Sequence, residues 1–285
     1  MKKVFVTSVT GAQGNSIAKA FKNANYVVAS MTRKEVELSE YETLVGSFND
    51  TAKLASIMKG SEAIIFTLPL LFDTQQVCEI TQNIIDGAKE AGVEKIIFNS
   101  SFPIGESRTG YAAIDVKHDA LDLLNKSGLA VVTLMPTIYL DNLSSPFLLP
   151  VINNANIVPY PISENIEFEW ISLVNLGLYC VASLQNSSII GEKILISNLD
   201  HCSKHDIAKL IGREKNTEVN YVSSTPAEFE ENLIPVLGDY VAKEIANLYR
   251  SVSKNNQEFK HYTHHDFINS VDLQTTESWV KSISW

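Results

Sequence analysis

The chain has 285 residues, of which 45% are hydrophobic and 20% charged, a composition typical of a globular protein able to bury a large α/β core. Its formal net charge of −10 argues against a broad nucleic-acid surface, which would need concentrated Lys and Arg. The longest apolar stretch, residues 63–72, is broken by Thr67 and Pro69 and is too short to span a bilayer, so no membrane association is expected.

The cysteines are odd in number and scattered: Cys78, Cys180 and Cys202. Without a Cys-x-x-Cys pair they indicate neither a disulfide framework nor a zinc site, but reduced thiols. The first predicted strand begins at residue 3, which leaves no room for a signal peptide. We therefore expect a cytoplasmic protein.

The first sixteen residues predict a strand, a turn and a helix. Residues 3–6 are an apolar run typical of a buried strand, and residues 15–23 have helical spacing. A turn bearing Gly11 and Gly14 lies between them, where a Rossmann unit binds a dinucleotide pyrophosphate at a helix N-terminus. A full fingerprint would also have glycine at position 8, where this chain has Ser8. An ordinary strand–turn–helix connection would look the same, so later elements must decide.

The second strand, residues 26–31, ends without an acidic residue. An NAD site usually places Asp or Glu there to bind the ribose hydroxyls. This chain instead has Thr32, Arg33 and Lys34, and a guanidinium suits a 2′-phosphate. The pattern favours NADP(H) over NAD(H); the alternative is that both cations merely solvate a loop.

Strands and helices continue to alternate up to residue 136. Further strands are predicted at 43–46, 61–68, 95–99 and 130–135, with helices at 51–58, 74–91 and 113–127 between them. Continuous apolar strands separated by helices predict an α/β fold, a Rossmann-type doubly wound parallel sheet in residues 1–140.

Ligands of such sheets gather beyond the carboxyl ends of the strands. The residues expected to form the cofactor site there are Thr7, Ser8, Thr10, Gly11, Ala12, Gln13, Gly14, Arg33, Lys34, Ser47, Phe48, Thr67, Leu68, Pro69, Ser100, Ser101 and Pro136.

Residues 141–285 predict a smaller, mostly helical lobe for a substrate or partner, with parts of 166–200 returning to the sheet edge. The predicted helices are 146–153, 173–184, 203–211, 226–233, 240–251 and 275–283, with strands at 193–197 and 219–222, contact with the sheet edge at 169–172, and a loop at 252–262. Ser203 and Asp206 form a candidate capping box.

Several segments of the chain resemble the NmrA-like family, an atypical branch of the extended short-chain dehydrogenases. They are Val-Thr-Ser-Val-Thr-Gly-Ala-Gln-Gly-Asn-Ser (6–16), Met-Thr-Arg-Lys (31–34), residues 88–101, Val-Lys-His-Asp-Ala-Leu-Asp (116–122), residues 127–137, 170–177 and 275–279. The likeness covers nearly the whole chain and implies a Rossmann fold that binds NADP(H).

The resemblance also assigns roles to individual residues. It implies a glycine turn at 10–14, a 2′-phosphate arginine at Arg33, an active-site lysine at Lys117 and a nicotinamide-end proline at Pro136. An adenine-contacting Asp-Leu pair would fall on Ser47 and Phe48, where the acidic residue is absent.

Alcohol and ketone dehydrogenases of this kind place a proton-donating tyrosine four residues before the lysine. That position here is Ala113, whereas Tyr111 lies six residues before Lys117 and reaches a substrate only if the helix starts irregularly. Lys117 alone is compatible with catalysis, with ribose binding or with a structural role.

Two functions remain open from the sequence. One is an NADPH-dependent reductase of a quinone-like or other activated acceptor, which needs little acid catalysis, with an acceptor pocket at Phe102, Tyr139 and Asn142. The other is a non-catalytic NADP sensor acting through a regulatory protein partner. A nucleotide-sugar epimerase would also need the Tyr–Lys pair and is disfavoured; homodimerisation is left open.

The histidines do not suggest a metal site. His201 and His205 are four residues apart, but His201 precedes the predicted helix, and His261, His264 and His265 cluster without further ligands of defined spacing. We expect solvated surface histidines and no bound metal.

Overall fold

The computed structural model describes residues 1–36, 38–254, 267 and 271–285. The strands are β1 (Lys3–Val6), β2 (Val27–Thr32), β3 (Glu42–Val45), β4 (Ser61–Thr67), β5 (Lys95–Asn99), β6 (Ala130–Pro136), β7 (Ile138–Tyr139), β8 (Ile157–Tyr160), β9 (Trp170–Ile171), β10 (Lys193–Ile196) and β11 (Asn220–Ser223). The helices are α1 (Ala12–Asn23), α2 (Thr51–Met58), α3 (Thr74–Glu90), α4 (Ala112–Lys126), α5 (Leu148–Ala155), α6 (Leu173–Gln185), α7 (Lys204–Lys215), α8 (Pro226–Leu237), α9 (Asp239–Lys254) and α10 (Thr276–Ser282), and residues 140–142 form a 3₁₀ turn.

Seven parallel strands form the main sheet in the order β10-β6-β5-β4-β1-β2-β3. The order reverses between β1 and β4, which creates the crevice where ligands of doubly wound sheets bind. This architecture confirms the predicted Rossmann-type α/β fold.

Both faces of the sheet are covered by helices, as its nearly continuous apolar strands require. In β1, Val4 and Val6 pack into the core beneath α1 and α6, whereas Phe5 packs into the opposite core beneath α2, α3 and α4. Helices α1 and α6 approach closely at Gly177, where an added Cβ would lie 2.7 Å from the Ala20 Cβ.

The second half of the chain contributes both to the sheet and to a separate cluster. Strand β10 pairs with β6 at the sheet edge, and α6 packs on α1. The parallel pair β8–β11 packs with the remaining helices around a third hydrophobic core that contains Tyr160, Trp170 and Trp279.

Some local predictions were wrong. Residues 169–172, expected to contact the sheet edge, include β9, which pairs with β7 beyond the end of β6 and does not become a strand of the main sheet. Strand β8, which contains Pro159, was missed, and α1 begins at Ala12 because Gly11 is its extended N-cap. The predicted capping box at Ser203 and Asp206 is confirmed, with both reciprocal hydrogen bonds present.

Helix α9 extends to Lys254, past the predicted end at 251, and the rest of the predicted loop at 255–262 lies outside the described residues. Across the part of the chain that the structure describes, no helix combines the length and apolarity needed to cross a bilayer.

Candidate functional site

The turn between β1 and α1 presents backbone N–H groups at the carboxyl edge of the sheet. Gly11 is the N-cap of α1, and no side chain caps this helix end. The first bond of the helical ladder runs from the Asn15 N–H to the Gly11 carbonyl at 2.9 Å, so the N–H groups of Ala12, Gln13 and Gly14 precede it. An uncapped N-terminus with a positive dipole end suits a phosphate anion.

The two glycines of the turn have different surroundings. A Cβ on Gly14 would lie 2.2 Å from the Ser8 carbonyl oxygen, so only glycine allows α1 to approach the turn this closely. A Cβ on Gly11 would meet only that same oxygen, at 3.4 Å, and would otherwise project into open space. Ser8, which replaces the first glycine of the fingerprint, adopts a left-handed φ of 57°.

Arg33 and Lys34 follow β2, the neighbour of β1 on the far side of the crevice. Both side chains are exposed, and no ion pair connects either of them to another residue in the described ranges. The Thr32 hydroxyl donates to the Lys34 carbonyl at 2.9 Å and so shapes this turn. Two exposed cations therefore follow the end of β2.

Ser47 and Phe48 follow β3. The exposed Ser47 accepts a hydrogen bond from the Asn49 N–H at 3.3 Å through its hydroxyl, and Phe48 packs partly against the core. Position 47 therefore offers a hydroxyl rather than a carboxylate.

The ends of β1 and β4 are tied together by threonines. The Thr7 hydroxyl donates to the Thr67 carbonyl at 3.0 Å and accepts from the Thr67 N–H at 2.8 Å. Leu68 and Pro69 follow, partly buried, and lead out of the sheet. These bonds hold the strand ends on either side of the crevice in register.

Gln13 is the centre of a polar cluster at the end of β5 and on β7. Its side-chain oxygen accepts from Asn99 Nδ2 at 2.7 Å, from the Ser101 hydroxyl at 2.9 Å and from the Tyr139 hydroxyl at 3.1 Å. Asn99 Nδ2 also donates to the Thr67 hydroxyl at 3.2 Å. Helix α1 is thereby linked directly to the end of β5 and to β7, and through Asn99 to the end of β4.

Lys117 reaches the same edge from α4. Its Nζ donates to the Ser100 carbonyl at 2.8 Å, and burial lowers the pKa of the ammonium from 10.5 to about 8. The Ser100 hydroxyl donates to the Phe102 carbonyl at 2.7 Å, which shapes the loop that Lys117 contacts. A lysine with this pKa can act both as a hydrogen-bond donor and as a proton source near neutral pH.

The start of α4 has no tyrosine facing the lysine. Ala113 is buried, and its N–H donates to Glu244 of α9 at 3.1 Å. Tyr111 is the N-cap residue of α4, and its ring lies 4.9 Å from Lys254 Nζ. Tyr111 therefore faces α9, and the structure does not bring it into the Gln13 cluster.

The three residues expected to line an acceptor pocket make different contacts. Tyr139 is buried and joins Gln13, whereas Phe102 packs into the third core. Asn142 donates to the Tyr160 hydroxyl at 2.9 Å and so also belongs to that lobe. Pro136, the buried last residue of β6, pairs with Ile196 of β10.

His201 and His205 each contact a carboxylate rather than each other. His201 Nδ1 lies 3.0 Å from Glu169, and His205 Nε2 lies 3.0 Å from Glu164. Of the other histidines, His118 lies in α4, and His261, His264 and His265 lie outside the described residues. Within the described ranges no group of three or more potential metal ligands converges.

Two residues of this region were not singled out from the sequence. Asn99 is the last residue of β5 and directly precedes two serines. Its position at the carboxyl end of a strand could have identified it from the sequence. Glu244 carries no such signal, because its contact with Ala113 joins residues 131 positions apart.

Comparison with known proteins places this geometry in context. A model of the NmrA-like family matches residues 1–280, and no curated protein sequence matches the chain. Among solved structures, a nucleoside-diphosphate-sugar epimerase from Staphylococcus aureus is 18% identical, with a TM-score of 0.76 over 99% of this chain and 100% of that one. Citrobacter sp. triphenylmethane reductase complexed with NADP(H) is 15% identical, with a TM-score of 0.77 over 99% of each chain.

An NADPH-dependent quinone oxidoreductase from Escherichia coli, complexed with NADPH, is 16% identical, with a TM-score of 0.73 over 98% of this chain and 99% of that one. At these identities, the structural likeness shows a common fold, and its chemistry must be argued from the residues present.

Proposed function

This chain belongs to the NmrA-like family, and from that premise we propose that it binds NADP(H) and reduces a quinone-like or other activated acceptor at the expense of NADPH. The observation that carries the proposal is the uncapped N-terminus of α1, bordered by Gly11, with Arg33 and Lys34 at the end of the adjacent strand. The similar structures described as NADP(H) and NADPH complexes of reductases support the same cofactor.

The residues present fit the cofactor. The N–H groups of residues 12–14 would hold the pyrophosphate, Arg33 and Lys34 the 2′-phosphate, and Ser47 and Phe48 the adenine side. Thr67, Leu68, Pro69, Ser100, Ser101 and Pro136 would border the nicotinamide half, and Lys117 would contact its ribose. When bound, the reduced cofactor supplies a hydride, and the protein supplies orientation and hydrogen-bond donors.

The absence of a tyrosine at Ala113 favours an acceptor that is already electrophilic. A quinone accepts hydride without a strong acid, since its reduced oxygen is a comparatively weak base. Residues 1–140 would then bind the cofactor, and residues 141–285, which contact α4 through Glu244, would cover the acceptor.

Mixing the protein anaerobically with NADPH and a panel of simple quinones tests turnover. We expect loss of the reduced-nicotinamide absorbance, faster with NADPH than with NADH. A complete lack of turnover across the panel would refute the reductase proposal.

Cofactor choice is tested by replacing Arg33 with Ala. The Kd for NADP should rise by about tenfold or more, because charge-assisted hydrogen bonds to the 2′-phosphate are lost, while the Kd for NAD should change little. Arg213→Ala, which removes an exposed guanidinium from α7, is the matched control and should leave both constants unchanged. An equal loss for NADP and NAD in Arg33→Ala would contradict the assignment.

A second candidate is a non-catalytic NADP sensor. The observation that favours it is Ala113, which is buried and bonded through its backbone to Glu244, so no tyrosine occupies the usual position four residues before Lys117. A sensor would bind NADP(H) without consuming it and would change its association with a protein partner when the cofactor binds. Measuring both cofactor consumption and partner association separates the two functions.

A further inference from the structure

The side-chain oxygen of Gln13 receives three hydrogen bonds, one more than its two lone pairs can accept with good geometry. An amide oxygen has two lone pairs, yet Asn99, Ser101 and Tyr139 all donate to the Gln13 oxygen. The orientation of the Asn99 amide is fixed, since its oxygen accepts from the Ser101 N–H at 3.0 Å. The Asn99 NH₂ group therefore faces Gln13, and the Gln13 group facing it must be the oxygen.

One lone pair is thus occupied by Asn99, at the shortest distance, and two hydroxyls compete for the other. The Tyr139 hydroxyl has the longer bond, 3.1 Å against 2.9 Å for Ser101. The phenolic O–H of Tyr139 can lie on either side of its C–O bond in the ring plane, so this donor can turn from Gln13 toward another oxygen. The Gln13 oxygen would then keep two partners.

Tyr139 is also the group in this cluster best suited to give up a proton. A phenol is far more acidic than the Ser101 alcohol. Burial nevertheless raises the pKa of Tyr139 well above 10, so the hydroxyl keeps its proton until a strong base forms beside it. The Lys117 ammonium, bonded to the carbonyl of the residue before Ser101, provides positive charge close to the same loop.

We propose that Tyr139 is a proton donor to the acceptor's oxygen and does the work of the tyrosine that Ala113 replaces. This inference rests on the proposed reductase function and extends its substrates to carbonyl compounds such as activated aldehydes. When a carbonyl carbon receives hydride, its π electron pair moves to the oxygen, which takes the phenolic proton of Tyr139. The carbonyl is reduced to an alcohol, NADPH is oxidised to NADP⁺, and the phenolate regains a proton from water.

Two acceptors that differ in their need for acid test the proposal. Reduction of 4-nitrobenzaldehyde would form a strongly basic alkoxide, whereas reduction of menadione forms a much weaker oxygen base. Tyr139→Phe should lower kcat for the aldehyde by about 100-fold or more, the usual range of general acid catalysis, and for menadione by less than about 10-fold.

Stability provides a readout that does not depend on activity. If the Tyr139 hydroxyl is the surplus donor, Tyr139→Phe should shift the melting temperature by less than about 1 °C, because the Gln13 oxygen keeps two partners. Tyr179→Phe is the matched control: this buried phenol donates to the Ser197 carbonyl at 2.8 Å, and its loss should lower the melting temperature by a few degrees.

Three results would overturn the proposal: an equal loss of kcat on both acceptors, a melting shift as large as that of Tyr179→Phe, or a wild-type protein that reduces menadione but not the aldehyde. A wild-type protein that reduces neither these acceptors nor any quinone of the panel refutes the reductase function itself. Turnover by wild type with an unselective Tyr139→Phe defect refutes only the role of Tyr139.

Discussion

The substitution Gly14→Ala isolates the closest contact in the β1–α1 turn. An added Cβ would lie 2.2 Å from the Ser8 carbonyl oxygen, 2.4 Å from its carbon and 2.6 Å from the Thr7 oxygen. All three are backbone atoms of the turn, so no side chain can rotate away. Helix α1 would have to move outward from the strand.

The expected cost is large for a single methyl group. Overpacking a close contact typically costs about 1–3 kcal/mol, while alanine recovers up to ~1 kcal/mol through its better helix propensity. The obstruction by backbone atoms places the net cost toward the upper part of that range. With a net cost of about 2–3 kcal/mol, and about 2–4 °C for each kcal/mol in a protein of this size, the melting temperature should fall by roughly 4–12 °C.

Gly11→Ala is the control for the same turn. Gly11 has an extended φ of −92°, and its Cβ would meet only the Ser8 oxygen at an ordinary 3.4 Å. The melting temperature should therefore change little, since an N-cap Gly→Ala replacement costs less than about 1 kcal/mol. Its methyl group would project into the space proposed for the pyrophosphate, so NADP binding should weaken by about tenfold or more.

Differential scanning calorimetry of the cofactor-free variants and titration with NADP distinguish the two effects. Gly14→Ala should lose stability first and affinity as a consequence, whereas Gly11→Ala should lose affinity alone. An unchanged melting temperature in Gly14→Ala would refute the close packing of α1 on the turn. Undiminished NADP binding in Gly11→Ala would refute the assignment of the pyrophosphate site.

Two further predictions concern α4. Burial lowers the pKa of Lys117 to about 8, so between this value and the ordinary 10.5 the unfolded chain holds a proton that the folded protein has lost. The free energy of unfolding of the wild type, relative to Lys117→Met, should therefore increase as the pH rises through this range. A difference that stays constant in urea unfolding between about pH 8 and pH 10.5 would contradict the shift. Glu244→Ala leaves the Ala113 N–H without its carboxylate partner and should cost about 1–3 kcal/mol, measured by the same unfolding assay, whereas the exposed Glu231→Ala should stay within about 0.5 kcal/mol.

The sequence by itself determined the parts of this protein that depend on neighbouring residues. Short runs rich in Val and Ile, alternating with helical spacing, predicted the parallel sheet through β6, because strand and helix periodicity are properties of local chain segments. The capping box at Ser203 and Asp206 was readable for the same reason, since its two bonds join residues three positions apart. Arg33 and Lys34 could be located because they directly follow a predicted strand.

Tertiary structure alone decided which distant residues meet. The Tyr139 hydroxyl reaches Gln13 across 126 positions and Glu244 reaches the Ala113 N–H across 131, and no periodicity connects either pair. Strand β8 forms beside β11 although Pro159 disfavours a strand locally. Such contacts depend on how whole helices and sheets pack to bury their apolar faces, and this free energy belongs to the assembled fold rather than to any one segment.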